Sequence, residues 1–385
     1  MRCTLGDDVM SFHTKGISYI DYLMGKGPHR LVDKPLLALL SGASFLYRKA
    51  VEKRYRDVVE KKGQTSLAVP VISLGNITAG GTGKTPTACL IAKWLQEEGH
   101  KVALLNRGYG SKAEAREAVM SDGEHIFLDA AHGGDEALLL ARSLPGVPVV
   151  VGRKRSDTGK LAIDMFQAEV LLLDDGFQHW YLARNLDIVL VDCTNPFGNG
   201  HVLPRGLLRE PLTHLRRAGF FLLTKSDQVT EDEKAPIYEV LRRYNDMAPI
   251  GEAIHKPAWC MPYEKWNTLS RRSMEDSLPK GPVITVSALG NPASFERTVM
   301  DWGYTISSTM RFGDHHQYTI RDMEDIKGRY ETYRVPIVTT EKDAVKMDAT
   351  WILNQHIPLY VLGIEIEITK GKERLQQMLR QLLGG

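Results

Sequence analysis

Apolar residues recur along this chain in two rhythms. Over residues 34–62, Leu36, Leu39, Leu40, Ala43, Leu46, Tyr47, Ala50, Val51 and Tyr55 return every three or four positions, which predicts one amphipathic helix. Short apolar runs then take over, at 69–74, 102–105, 148–151, 170–173, 188–191 and 220–223. Between the first two, residues 86–98 keep helical spacing, with Cys89, Leu90, Ile91, Trp94 and Leu95 on one face. Near-continuous apolar strands separated by helical stretches predict a parallel sheet covered on both faces, the doubly wound α/β class. Past residue 247 the texture loosens. Pro249, Pro257, Pro262, Pro279 and Pro282 punctuate a stretch of weak periodicity, which reads as a linker into a second, smaller α/β domain. Strands are expected there at 283–286, 337–340 and 359–362, with a closing helix at 372–383. The expected organisation is an N-terminal extension and helix over 1–62, a larger domain over 63–247, and the linker with the smaller domain over 248–385.

Composition changes this picture little. Hydrophobic residues make up 43% of the 385 positions and charged residues 25%, ordinary for a globular protein with a core of normal size. A net charge of +2 gives no ground for a nucleic-acid partner. The four cysteines, Cys3, Cys89, Cys193 and Cys260, stand apart from one another and read as isolated thiols. Residues 1–10 lack an apolar run, so no secretory signal is expected.

Local charge matters more. The second half of the 34–62 helix carries Arg48, Lys49, Lys53, Arg54, Arg56, Lys61 and Lys62 against Glu52, Asp57 and Glu60, seven cations to three carboxylates. An apolar front half followed by a basic half suits a helix lying on an anionic bilayer; a packing helix with a solvated face is the plainer alternative. The uncharged stretch at 35–47 is shorter than the roughly 18–20 apolar residues of a spanning helix. Contact with a membrane is compatible with this pattern, and crossing is not.

The strongest chemical signal follows the 69–74 strand. Thr78-Ala79-Gly80-Gly81-Thr82-Gly83-Lys84-Thr85 closes as a Walker A loop, although Thr78 stands where the usual pattern has glycine. Small residues let successive N–H groups face inward as an anion nest, and the following helix adds its positive end. Lys84 can reach the β- and γ-phosphates of ATP, and Thr85 can ligate Mg2+. Pro86 falls in the first helical turn, where proline is tolerated.

Further candidates lie at strand ends. Asp174 and Asp175 terminate the 170–173 strand, as an acid aimed at Mg2+ from beside a phosphate loop does. Asp135 and Glu136 precede a helix and could simply cap it. Arg153, Lys154 and Arg155 follow the 148–151 strand and suit an anionic substrate or the phosphates of ATP, or else form a solvated charge run. Thr224-Lys225-Ser226-Asp227 fits the [NT]-K-x-D pattern that reads guanine, which keeps a GTP- or ATP-driven switch or chaperone open as an alternative to a small-molecule kinase.

Together these segments resemble the tetraacyldisaccharide 4'-kinase (lipid A 4'-kinase) family over residues of about 30 to about 365. The carriers are Gly75 to Pro86, Arg107-Gly108-Tyr109-Gly110, Gly134-Asp135-Glu136, Asp174 to His179, Pro204 to Pro211, Phe312-Gly313-Asp314-His315 and Thr339 to Lys346. A phosphate loop beginning with threonine is that family's own variant. The resemblance implies a P-loop NTPase-like fold and transfer of the ATP γ-phosphate to the 4'-hydroxyl of an acylated glucosamine disaccharide 1-phosphate. It also implies Mg2+ and a peripheral place at the cytoplasmic face of the bacterial inner membrane. It makes Asp135 the base, with His315 as its dyad partner and Lys84 on the phosphates. Thr85, Glu136, Asp174 or Asp175 would serve the metal, and Arg107, Arg153 and Arg155 the substrate. Ala137 stands where the family often has proline, and His316 reads as a neutral neighbour of His315. No protein partner is inferable.

Overall fold

The structure is a computed structural model that describes Tyr19 and residues 22–25, 30–61, 63–268, 278–314 and 316–384. Lys62 and His315 lie outside the described residues, as does most of the stretch before Arg30.

A long helix, α1 (Lys34–Val59), precedes the sheet and ends three residues before the predicted limit. It buries Leu37, Ser44, Tyr55 and Val58 and leaves its other face open. Ser44 Oγ donates to the Val202 carbonyl at 2.8 Å, and Tyr47 Oη to the Arg209 carbonyl at 2.9 Å. No described helix is long and apolar enough to cross a membrane.

The first half of the fold then runs β1 (Val71–Asn76), α2 (Lys84–Glu97), β2 (Val102–Asn106), β3 (Ala118–Ser121), α3 (Ala130–Gly133), α4 (Asp135–Ser143), β4 (Val149–Val151), α5 (Arg155–Phe166), β5 (Val170–Leu173), β6 (Leu186–Asp192), β7 (Phe220–Thr224) and α6 (Glu231–Tyr244). The second half runs β8 (Ile250–Pro262), α7 (Tyr263–Asn267), β9 (Pro282–Ser287), α8 (Pro292–Asp301), β10 (Thr305–Arg311), α9 (Ile320–Tyr333), β11 (Ile337–Thr340), α10 (Glu341–Ala344), α11 (Ala349–Gln355), β12 (Leu359–Lys370) and α12 (Lys372–Leu383).

Among the described residues the strands form one sheet in the order β10-β9-β11-β12-β8-β7-β6-β1-β5-β2-β4-β3. Pairing is parallel except at β8–β12 and β3–β4. Every residue of β1, β2, β5, β6 and β7 is buried, because helices cover both faces; this is why these strands read as unbroken apolar runs.

The expected linker after residue 247 is instead the longest strand among the described residues. β8 pairs with β12 along most of its length. Pro249 and Pro262 stand before the strand and at its last position, and Pro257 sits at a register shift opposite Ile364, where a missing N–H is tolerated. β3 and β10 were also not anticipated. Both are edge strands, and β10 (Thr305–Arg311) has no fully buried position to produce an apolar run.

Near the C-terminus the chain returns to the first half. Leu375 and Leu379 of α12 join Ile91 and Leu95 of α2 and Ile366 and Ile368 of β12 in one core. Arg380 Nε reaches Glu98 Oε1 at 2.8 Å on the outside of this contact.

Candidate active site

One large cavity of about 1790 Å3 lies outside the C-terminal ends of β1, β2, β4 and β5, where α/β sheets of this kind bind ligands. Its lining contains all of Ala79–Thr85, together with Asp135, Glu136, Asp174, Asp175, Arg107, Arg153 and Arg155. Thr78 is buried behind the loop, bridged to Leu208.

The phosphate loop is held from three sides. The Ala79 N–H donates to the Leu207 carbonyl at 2.7 Å. Asn76 Nδ2 donates to the Thr78 carbonyl at 2.7 Å, and Thr224 Oγ1 to the Thr82 carbonyl at 3.0 Å. Gly83 has φ +84°, and a Cβ there would stand 2.6 Å from His255 Nε2, so both backbone and space demand glycine. His255 is half-buried with its Nε2 shut off from water, and this desolvation pushes its imidazole down to about 4 with help from nearby Lys225; it is neutral at physiological pH. α2 starts at Lys84, so its first N–H groups face the loop's interior.

Lys84 Nζ donates to Asn76 Oδ1 at 3.2 Å and stands 3.6 Å from Asp175 Oδ1. Asp175 also accepts both arms of Arg209, at 2.7 and 2.9 Å. Burial alone would raise its carboxyl, but Lys84 and Arg209 outweigh it and hold it well below the usual range. Asp174 is the opposite case. Burial, then Glu136 and Asp175, push it up to about 7 against Lys84 and an Asn106 Nδ2 donor at 3.0 Å. Its Oδ1 is buried without a hydrogen-bond partner, as is Thr82 Oγ1.

A buried acid with an unpaired oxygen, among other acids and beside a phosphate loop, fits a divalent cation. Among the described residues no three His, Cys, Asp or Glu side chains converge to hold a metal by themselves. An octahedral ion that borrows oxygens from bound phosphate and water does not need them to.

Asp135 and Glu136 occupy the first turn of α4, where the helix end favours negative charge. Gly134, at φ +96°, lets the backbone pass Gly108, whose Cα a Cβ would meet at 3.1 Å. Asp135 Oδ2 accepts from Gln317 Nε2 at 3.2 Å, and Glu136 Oε1 lies 3.8 Å from Lys342 Nζ. The second half therefore reaches the acids directly. His316 pairs with Asp322 Oδ2 at 3.0 Å and stacks on Phe312, outside the cavity lining.

The cationic wall is heterogeneous. Arg153 is exposed, Arg107 Nε is held by Glu114 at 2.7 Å, and Arg155 is 3% exposed and donates to the Gly152 carbonyl at 2.7 Å. Burial lowers the Arg155 guanidinium to about 10, against the pull of Asp174 and Asp175.

Sequence reasoning assigned no role to Asn106, and none to Gln178, His179, Arg209 or Lys342 beyond marking the shared segments. All five line the cavity. Gln178 Nε2 donates to the Asn76 carbonyl at 2.9 Å and to fully buried Glu210 at 2.7 Å. Burial, followed by Arg155 and Arg184, pushes His179 down to about 3. Asn106 was findable as the polar residue that ends the otherwise apolar β2.

The guanine-reading pattern is divided: Lys225 lines the cavity but is tied to Asp192, and Asp227 is exposed and absent from the cavity lining.

A phosphate loop at the end of the central strand, with strand-end acids beside it, defines a P-loop NTPase-like phosphotransferase. A model of the family "Tetraacyldisaccharide-1-P 4'-kinase" matches residues 36–384, and the chain belongs to that family. It is 39% identical to the tetraacyldisaccharide 4'-kinase of Halothermothrix orenii, over 97% of this chain and 100% of that one. It is 40% identical to the enzyme of the same name from Anaeromyxobacter sp. strain K, over 91% and 89%. A crystal structure of LpxK from Aquifex aeolicus in complex with ATP superposes with a TM-score of 0.70 at 27% identity, covering 90% of this chain and 99% of that one.

Proposed function

We propose that this protein is an ATP-dependent kinase that moves the γ-phosphate onto the 4'-hydroxyl of a tetraacylated glucosamine disaccharide 1-phosphate, a step of lipid A biosynthesis. The observation that carries this reading is that Lys84 of the phosphate loop and Asp135 of α4 line the same cavity. One holds the donor's phosphates, and the other is free to take a proton from an acceptor hydroxyl as the new bond forms.

The backbone of residues 80–85 would wrap the β- and γ-phosphates, with Thr78 and Ala79 fixing the loop from behind. Thr85, Glu136 and Asp174 would hold Mg2+, which neutralises phosphate charge when bound. Asp175 is better suited to fixing Lys84 and Arg209, since both its oxygens are engaged. His315 is assigned as helper to Asp135 by its motif. Gln317, two residues further on, donates to Asp135, which supports that stretch as the base's neighbour. Arg107, Arg153 and Arg155 supply a positive wall for the acceptor's anionic end.

An acceptor carrying four acyl chains is met at a bilayer. α1 offers exposed Leu39, Phe45 and Leu46 beside exposed Arg48, Lys49, Lys53 and Arg56, which supports peripheral attachment at the cytoplasmic face of the inner membrane. The deciding experiment supplies purified protein with Mg-ATP and a tetraacyldisaccharide 1-phosphate. Transfer to the lipid is expected. Steady ATP or GTP hydrolysis without a lipid product would overturn the assignment.

A further inference from the structure

α4 belongs to the first half of the fold, yet residues of the second half grip it at both ends. At its start, Gln317 donates to Asp135 and Lys342 approaches Glu136. At its end, Arg142 Nη2 donates to Asn267 Oδ1 at 3.2 Å, and its guanidinium lies 4.8 Å from the Trp266 ring centre. Trp266 Nε1 in turn donates to Glu341 Oε1 at 3.3 Å, next to Lys342.

The turn that carries Lys342 is rigid. In α10, Thr340 Oγ1 donates to Asp343 Oδ2 at 2.6 Å, and the Ala288 N–H to Asp343 Oδ1 at 3.1 Å. Lys346 Nζ lies 3.4 Å from Asp343 and donates to the His316 carbonyl at 3.3 Å, with neither side chain exposed. One short turn thus anchors the chain just after His315 and projects Lys342 into the cavity. There Lys342 Nζ stands 3.8 Å from Glu136 Oε1 and 3.8 Å from Asp314 Oδ1. Two carboxylates from different halves of the molecule share one ammonium. Without it they would repel one another across the cleft.

We infer that Lys342 is a positioning residue for phosphoryl transfer. It pulls the first turn of α4, and with it Asp135, against the segment bearing Asp314 and Gln317. The inference rests on the kinase reading above and adds a residue to it. Lys342 acts on the alignment of the base and not on the phosphate loop, so its loss affects turnover more than nucleotide binding.

The test compares Lys342→Met and Lys342→Arg in the full-length protein. Lys256→Met serves as a charge-matched control in an exposed pair with Glu367. A misplacement of about 1 Å costs about a hundredfold in rate, so Lys342→Met is expected to lower kcat by that order. KM for ATP and directly measured ATP affinity should stay within about twofold. Lys342→Arg should recover most of the rate, and the control should match wild type. Asp314→Asn should reproduce the defect, and combining it with Lys342→Met should add little, since both remove one interaction.

A wild-type rate in Lys342→Met overturns the inference. So does a joint loss of ATP affinity and rate that arginine does not restore. If Lys342→Met does not fold, a normal rate in Asp314→Asn overturns it instead. A wild-type protein that transfers no phosphate strikes the kinase reading and this inference together. A transferring wild type with a normal Lys342→Met strikes the inference alone.

Discussion

Two adjacent carboxylates at the end of β5 live in opposite conditions. Asp175 is clasped by Arg209 and Lys84, while Asp174 is buried with an unpaired oxygen and its carboxyl pushed up to about 7. The sequence presents them as an undifferentiated pair; only the side chains arriving from elsewhere separate them. Arg209 arrives from 34 residues away and Asn106 from 68, distances over which spacing carries no signal. The place of the phosphate loop was legible because its pattern is local, although Thr78, expected among its contacts, lies behind it. Asp135 is proposed as the base only through the shared segments around it, since its neighbour Gln317 arrives from 182 residues away. At this scale Asp135→Asn should lower single-turnover transfer by about 10²–10⁴ with ATP affinity retained; near-normal transfer would remove Asp135 as the base. Gly83→Ala should weaken ATP binding about tenfold in a nucleotide titration, because a left-handed backbone costs a side chain about 1–2 kcal/mol. Replacing His255 by alanine in that background should relieve the collision but not the backbone strain. Unchanged affinity in Gly83→Ala would show that the loop does not need this conformation.

Among the elements, α1 has two unlike faces. Tyr55 packs its ring against Trp180 and His214, with centroids 5.4 and 4.6 Å away, while Leu39 and Leu46 are each 69% exposed. Deleting the helix would therefore uncover part of the core and confuse attachment with folding. Leu39→Asp with Leu46→Asp is the cleaner change. Each leucine loses about 1.5–3 kcal/mol of possible burial, so binding to anionic liposomes should fall at least about tenfold. Sedimentation with vesicles reads this, and an unchanged melting temperature shows the fold intact. Equal sedimentation of the variant would leave α1 as a packing helix only. Elements buried on both faces were legible in the sequence, since nothing interrupts their apolar runs. β8 was not: its prolines resemble linker punctuation, and only the partner strand β12 shows that they avoid the positions where an N–H is needed. β10 was missed because an edge strand with half-open faces leaves no apolar signature.

For the whole molecule, β8 is the seam between the two halves of the sheet, and one ion cluster secures it. Glu252 of β8 accepts from Lys234 at 2.7 Å, Tyr238 at 2.6 Å and Lys370 at 3.1 Å. Burial would raise this carboxyl, but those three donors bring it down to about 2. A lowered carboxyl stabilises the fold fully above its unfolded value, near 4.5, and that contribution is lost as pH falls toward about 2. Glu252→Gln should cost about 3 kcal/mol at pH 7, the order for breaking a buried pair, and the gap to wild type should narrow below pH 4 or so. Denaturant unfolding at both pH values checks this; a gap independent of pH would contradict it.

The return of α12 to the first half has a consequence for synthesis. Ile91 and Leu95 of α2, the helix that begins at Lys84, are covered in part by Leu375 and Leu379, which are translated after all the described strands. While the ribosome is still translating the second half, that face of the nucleotide-binding half remains bare to water. The core beside the phosphate loop closes only once this helix has been made, so a chain cut short before Lys372 would present an apolar surface there.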